Sequence, residues 1–354
     1  VKLPVMPPVS PMLAKATTME KVVELLERGD VRVDPKWDGF RCIVFKDGDE
    51  VELGSRGSKP LTRYFPELVE HLRAQLPDRC VVDGEVVVRR GEPGAERLDW
   101  EALAQRIHPA ASRIKTLSEA TPASFVAFDL LAVGDDDLTA RPFSDRRAAL
   151  EQALGTVTAP VHLTRTTTDA ALAQEWLQTF EGAGLDGVVA KPLAAPYSPG
   201  KRVMLKVKHA RTADVVVVGY RVHKSGTGVG SLLLGLHDDD GQLRQVGGAS
   251  AFTDKVRLEL EQELQPLVLR DADGAPRRQA GEKNRFAAAD KDASWIPLQP
   301  DLVAEVRYDQ LEGDRFRHTV QLARWRPDRD PASCRFDQLD VPADYDLAEV
   351  LTGG

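Results

Sequence analysis

Lys36-Trp37-Asp38-Gly39-Phe40-Arg41 lies between two stretches of strand-like sequence, and its lysine could act as a nucleophile. A lysine at a strand end, followed by Asp-Gly, falls in a tight turn where its amine can be held out of bulk water beside a carboxylate. A desolvated lysine is nucleophilic. Alone, the same residues could form a surface hairpin, and a lone K-x-D-G is weak. Val81-Val82-Asp83-Gly84-Glu85-Val86 puts two acids inside an apolar run, which is costly unless they face a ligand, a cation or solvent at a sheet end. A bulged edge strand is the plainer reading. Leu185-Asp186-Gly187-Val188-Val189-Ala190-Lys191 repeats the acid–glycine–strand pattern with a lysine at its far end. In Met204-Leu205-Lys206-Val207-Lys208, alternation puts both lysines on one strand face, where they repel unless an anion lies between them. Oxygen-donating acids beside lysines that face an anion suggest the phosphates of a magnesium-bound nucleotide.

Several other chemistries lack their signatures. No G-x-x-x-x-G-K-[ST] occurs, so a P-loop enzyme is excluded. Gly226-Thr227-Gly228-Val229-Gly230 resembles a phosphate loop, but strand residues follow it and it reads as a flexible turn. H-E-x-x-H and G-x-S-x-G are absent, and the seven histidines are scattered. Cys42, Cys80 and Cys334 are an odd, widely spaced set without C-x-x-C, a poor basis for a disulfide framework or a zinc cage. No run approaches the ~18 apolar residues of a membrane span, and the first residues do not read as a secretion signal. The expectation is a cytoplasmic protein without a membrane anchor.

The elements that must position these residues have an α+β order. With 354 residues, two domains are expected. From 1 to 210, strands alternate with helices. Val31–Asp34, Phe40–Phe45 and Glu50–Leu53 read as strands, the last two joined by the turn Lys46–Asp49. Cys80–Val82, Val86–Val88, Phe125–Phe128 and Val188–Ala190 are further strand material. Helical periodicity marks Phe65–Leu72, Trp100–Ile107, Asp145–Ala153 and Asp169–Phe180, with Asp145 and Asp169 as N-caps. From 211 to 354 the texture is strands with Gly- and Asp-rich turns and one helix near 254–267, followed by an acidic tail. That suits a small Greek-key barrel, of which the OB-fold is the commonest. No internal repeat is present. The segment 270–293 reads as a long polar loop.

Charge decides little. The net charge of −8 is the wrong sign for bulk attraction to a polyanion, but the local field is what matters. Lys201–Lys224 carries seven Lys/Arg against one acid, and 328–354 carries seven acids against two arginines.

In their order, these pieces resemble the signature of the covalent nucleotidyltransferases: ATP-dependent DNA ligases, RNA ligases and capping enzymes. Lys36-Trp-Asp-Gly39 with Arg41 matches the nucleophile motif, Ser55-Arg56-Gly57 the second, and Asp83-Gly-Glu85 the third. Phe125-Val-Ala-Phe128-Asp129 matches the strand whose aromatic packs on the base. Leu185–Lys191 matches the fourth element and Leu205–Lys208 the lysine pair; Arg324-Trp325-Arg326-Pro327-Asp328-Arg329 resembles the last motif. Across residues 34–329 the set is most similar to the compact, two-domain LigC-type DNA ligases of actinobacteria. Asp186 stands where Glu is usual, Asp34 where Glu often precedes the nucleophile, and Arg329 where capping enzymes have Lys.

The resemblance implies a nucleotidyltransferase (ATP-grasp-like ligase) domain followed by an OB-fold barrel. It implies that Lys36 takes AMP from ATP, passes it to a 5′-phosphate at a nick, and that the 3′-hydroxyl then displaces it. Glu85 and Asp186 would hold Mg2+ (or Mn2+). Lys206 and Lys208 would stabilise the α-phosphate, and Arg324, Arg326 and Asp328 would act at the pyrophosphate as the OB domain closes. Asp34, Arg41, Arg56, Phe128 and Lys191, with Glu85, Lys206 and Lys208, would bind the nucleotide. Larger ATP ligases carry an N-terminal DNA-binding domain for which there is no room before Lys36. Nicked duplex DNA would therefore be held by the two domains, with 201–224 as the basic groove and 270–293 as a clamp. A monomer acting in repair, with a repair polymerase, a primase or end-joining factors as partners, completes the expectation. An RNA ligase or capping-type guanylyltransferase is the sister reading. A non-enzymatic OB-type nucleic-acid binder would explain the barrel but not Lys36, Glu85, Asp186 and the lysine pair together.

Overall fold

The computed structural model describes residues 2–57, 59–281, 292–339 and 342–352. They fall into two units, 1–208 with 342–354, and 209–341. The end of the chain, grouped on sequence with the second domain, thus belongs to the first unit. Leu347 and Val350 of the helix Leu347–Thr352 are fully buried there. A count of acids suggests a solvated tail, but two apolar residues three apart on a helix outweigh it.

In the first unit, a four-stranded sheet runs Leu13–Ala16, Arg202–Val207, Val188–Pro192, Val31–Pro35. Asp34 pairs with Val189 and Val189 with Lys206, so these three share one face, along with Lys191 two residues on. Val31, Val33, Val188, Ala190 and Val207 take the other face into a core with Val22, Leu26 and Trp176. Those last residues come from the helices Met19–Glu27 and Ala170–Thr179. The strand Leu13–Ala16 and the helices Met19–Glu27 and Ala111–Ala120 were not expected. The strand is only four residues long, and Ala111–Ala120 buries only Ile114 and Leu117, whereas Met19–Glu27 has apolar residues at 19, 22, 23 and 26, a helical spacing that was there to be read.

The larger sheet runs Glu50–Ser55, Phe40–Asp47, Arg79–Arg90, Ala123–Val133, Asp136–Asp137, with Val161–Leu163 parallel to Ala123–Val133. Asp83-Gly84-Glu85 does not split its strand. The strand is continuous, and the register shifts between Asp83 and Gly84 against Ala123–Val133. Arg41 pairs with Glu85 and Ile43 with Asp83, which puts the guanidinium and both acids on one face. Cys42, Val44, Val82, Val86 and Phe125 fill the opposite face. Asp169 caps its helix, accepting from Ala171 N and Leu172 N at 2.8 and 3.2 Å. Asp145 is not a cap; the helix Phe143–Leu154 starts after Pro142, which leaves Asp145 in the first turn where an acid suits the helix dipole.

The second unit orders its strands Leu243–Ala249, Val229–His237, Arg211–Val222, Val303–Tyr308, Gln321–Trp325, all antiparallel. A parallel bridge from Ala249 to Val320, with Val320 N donating to Gly248 O at 2.9 Å, joins the first of these to the last. The sheet therefore closes into a five-stranded barrel, with the helix Asp254–Leu264 between its third and fourth strands in chain order. That is the OB arrangement. Within the clamp expected at 270–293, residues 282–291 lie outside the described residues. No described helix is long and apolar enough to cross a membrane.

Candidate active site

The Lys36 turn is tied by its backbone to the Asp186 turn. Lys36 N donates to Gly187 O at 2.9 Å and Asp186 N donates to Lys36 O at 3.1 Å. Gly187 makes this approach possible, since its φ is +117° and a Cβ there would lie 1.9 Å from Val207 O. The two side chains then meet: Lys36 Nζ donates to Asp186 Oδ2 at 2.8 Å, and Lys208 Nζ stands 3.4 Å from the same oxygen. Trp37 pins the turn from behind, its Nε1 donating to Thr164 Oγ1 at 2.8 Å. Gly39 N donates to Glu85 Oε1 at 3.2 Å, which brings the third motif to the first.

The electrostatics favour a polyanion. Burial, then Lys208, Lys36, Arg202 and Arg56, all push the Lys206 ammonium below its ordinary value. Like charges gathered this closely repel, and a phosphate chain among them would relieve that repulsion. Glu85 faces the opposite problem. It keeps some exposure, but burial on its remaining sides pushes its carboxyl up to about 7, against the pull of Arg41 and Lys36.

Behind these groups lies a buried network. Arg41 donates from Nε and Nη2 to both oxygens of Asp83 at 2.7 and 2.6 Å, and from Nη2 to Met12 O at 2.8 Å. Burial works against the Arg41 charge, but Asp83 more than offsets it, and the guanidinium is held above its ordinary value. Tyr197 Oη donates to Asp83 Oδ2 at 2.7 Å and accepts from Met12 N at 3.0 Å. Burial, then Asp83, hold the Tyr197 hydroxyl well above the usual phenol range. Arg41 and Lys191 both stand over the Phe128 ring, 5.0 and 4.3 Å from its centroid. Lys191, itself buried, donates to Phe128 O at 3.2 Å and lies 2.6 Å from Asp34 Oδ2. That last contact is an ion pair by distance but lacks hydrogen-bond geometry, so both Asp34 oxygens are buried without a donor.

Of the thirteen expected site residues, the structure gathers Lys36, Asp186 and Lys208 directly, with Lys206 and Arg56 in their field. Asp34, Arg41, Glu85, Phe128 and Lys191 surround them through the contacts above. Arg324, Arg326 and Asp328 belong to the second unit. There Arg324 Nε is 3.0 Å from Glu305 Oε2, and Arg326 bonds Asp328 and Asp214. Sequence reading missed Tyr197, Met12 and Thr164. Tyr197 stands between Pro196 and Pro199 in a loop, a place where an aromatic residue has little reason to be unless its ring or hydroxyl is used.

A nucleotide and a hard cation both fit these donors. Asp34 is a buried acceptor suited to an amino group, and the lysines suit phosphates. Glu85 and Asp186 supply carboxylate oxygens, and the raised Glu85 carboxyl marks a charge that a cation would neutralise. Among the described residues no group of three or more His, Cys, Asp or Glu could hold a metal by itself. Two carboxylates completed by phosphate and water is the manner of magnesium.

Comparison with known proteins gives a consistent answer. A family model described as ATP dependent DNA ligase domain matches residues 11–208, and one described as ATP dependent DNA ligase C terminal region matches 225–329. The chain is 57% identical over 354 residues to DNA ligase C1 of Mycolicibacterium smegmatis, covering 99% of each. It is 54% identical over 367 residues to DNA ligase C of Mycobacterium tuberculosis, again covering 99% of each. Its fold is similar to a solved structure from work on Lig E DNA ligases, with a TM-score of 0.54 and 17% identity over 89% of this chain and 99% of the other.

Proposed function

Since the chain belongs to the family of ATP-dependent DNA ligases, we propose that it seals nicks between a 5′-phosphate and a 3′-hydroxyl in duplex DNA, through AMP carried on Lys36. The observation that carries this reading is the Lys36 amine held 2.8 Å from Asp186 Oδ2, with Lys208 on the same oxygen and Lys206 alongside. In its amine form Lys36 attacks the α-phosphate of ATP; a P–N bond forms, the bond to the β-phosphate breaks, and pyrophosphate leaves. Lys206 and Lys208 oppose the negative charge that builds at that phosphorus. Asp34 accepts from the adenine amino group, and Phe128, with Arg41 and Lys191 over its ring, sets the depth to which the base enters. Arg41, fixed by Asp83 and Tyr197, keeps that wall in place.

Glu85 and Asp186 would hold a divalent cation, which when bound neutralises phosphate charge. Arg56 is exposed and close enough to add to the field at Lys206, which suits a phosphate contact. For Arg324, Arg326 and Asp328 the reading is a role at the leaving pyrophosphate, and it rests on their motif. In the later steps the 5′-phosphate of the nick takes the AMP from Lys36, and the 3′-hydroxyl then attacks that phosphate and expels AMP. A DNA substrate and a repair role place the protein in the cytoplasm, with the nucleoid.

The test separates the first step from the last. Lys36→Ala should form no labelled protein with α-labelled ATP, yet should still seal a nick supplied with AMP already on its 5′-phosphate. Labelled Lys36→Ala protein would refute the assignment of the nucleophile. Label from GTP, or sealing confined to RNA, would favour a capping or RNA-ligase activity instead.

A further inference from the structure

Residues 342–352 lie beyond both matched regions, which end at 208 and 329, yet they are built into the first unit. Glu96 grips them twice: Leu347 N donates to Glu96 O at 2.8 Å, and Glu96 N donates to Asp346 Oδ1 at 3.2 Å. Tyr345 rests on Phe180 with ring centroids 5.3 Å apart, and Phe180 stacks on Trp176 at 5.6 Å. Ala343 passes so close to Gly182 that a Cβ on that glycine would lie 1.9 Å from the Ala343 oxygen. Leu347 and Val350 share a core with Ala183 and Leu185.

What directs these contacts toward the site is the path of the chain they press on. Phe180–Ala183 is a single 3-10 turn, capped by Gly184 with φ +89°, and it leads directly into Leu185-Asp186-Gly187. Leu185 is fully buried against the clasped core, and the next residue gives its N–H to Lys36 O and its carboxylate to Lys36 Nζ. A displaced 3-10 turn would therefore carry Asp186 with it, because interiors packed at crystal-like density transmit small shifts.

On the reading above, in which Asp186 partners the nucleophile, we infer that residues 342–352 form a C-terminal clasp that positions the Asp186 turn against Lys36. The clasp touches neither Lys36 nor the nucleotide; it acts through Phe180–Ala183. The chain leaves the first unit at Lys208, forms the barrel, and returns to complete the unit whose chemistry it serves.

Single-turnover labelling from α-labelled ATP distinguishes positioning from mere support. The amplitude of labelling counts competent molecules, and the rate constant reports how well the groups are placed. In the full chain, Tyr345→Ala and Leu347→Ala should each lower the rate constant about tenfold, the scale that small misplacements carry, with amplitude preserved. Tyr345→Phe, which keeps the ring on Phe180 and gives up only the hydroxyl's bond to Glu349 inside the clasp, should fall far less than Tyr345→Ala. Amide exchange without ATP should speed up at 184–187 in both alanine variants. If Leu347→Ala does not fold, the Tyr345 pair decides. An unchanged rate constant in Tyr345→Ala, or an equal fall in Tyr345→Phe, overturns the inference. Absence of any label in the unsubstituted chain, after pyrophosphate treatment to remove AMP already bound, would instead refute the lysine–AMP reading, and the exchange measurement would still decide whether the clasp governs the Asp186 turn.

Discussion

His162 carries a burden that no neighbour relieves. Its Nε2 is buried without a hydrogen-bond partner, and burial, then Arg89, hold the ring down at about 4 against an ordinary 6.5. The folded protein keeps the ring neutral, whereas the unfolded chain protonates it near 6.5. The ring therefore adds no pH-dependent penalty above pH 6.5, and stability falls progressively as pH drops from 6.5 toward 4, because the unfolded chain takes up the proton that the folded ring refuses. His162→Phe should flatten that limb: its urea midpoint should fall less between pH 6.5 and 4 than that of the unsubstituted protein. An unchanged pH dependence would show that the ring does not titrate as stated. At this scale the sequence exposes residues whose type is costly in context, such as acids in an apolar strand or lysines facing each other, and Glu85, Asp186, Lys206 and Lys208 stand out for that reason. Tyr197, Met12 and Thr164 stay hidden because their roles depend on partners 114, 185 and 127 residues away along the chain.

Between elements, one buried ion pair ties a helix to a strand and a loop. Arg146, on the helix Phe143–Leu154, is fully buried and donates to Asp129 of the strand Ala123–Val133 at 2.9 and 3.2 Å. It also donates to Arg141 O and Ala195 O, fixing the loop that carries Tyr197. Arg146→Met strands a buried carboxylate and should cost about 3–5 kcal/mol, whereas Asp129→Leu with Arg146→Met removes both charges and should cost much less. Urea unfolding of the two singles and the double would show this as strong non-additivity; additive losses would contradict it. Strands rich in Val and Phe were readable because both of their faces are buried, and strictly apolar runs need no partner to be recognised. The short strand Leu13–Ala16 and the lightly buried helix Ala111–Ala120 were not. The strand's existence is decided by pairing with Arg202–Val207, about 190 residues away, which has no local signal.

As a whole molecule the chain joins a catalytic unit to a barrel, and the acidic average charge says little about either. If phosphate contacts dominate its hold on DNA, affinity for a nicked duplex should fall roughly tenfold or more between about 50 and about 200 mM salt. Equal affinity at both would remove the basic stretch 201–224 from the binding surface. Four of the five barrel strands were legible as apolar, β-branched runs between turns; Gln321–Trp325 was not, nor was the return of residues 342–352 to the first unit, since an acidic count hides two buried apolar side chains. Everything proposed for the site converges on one covalent bond. The most direct test is to incubate the protein with α-labelled ATP and magnesium, digest it under conditions that preserve phosphoramidates, and find the AMP-bearing peptide by mass spectrometry. The label should sit on Lys36 and disappear when nicked DNA is added and sealed. AMP on any other residue, or sealing by a protein that never carries it, would contradict the account.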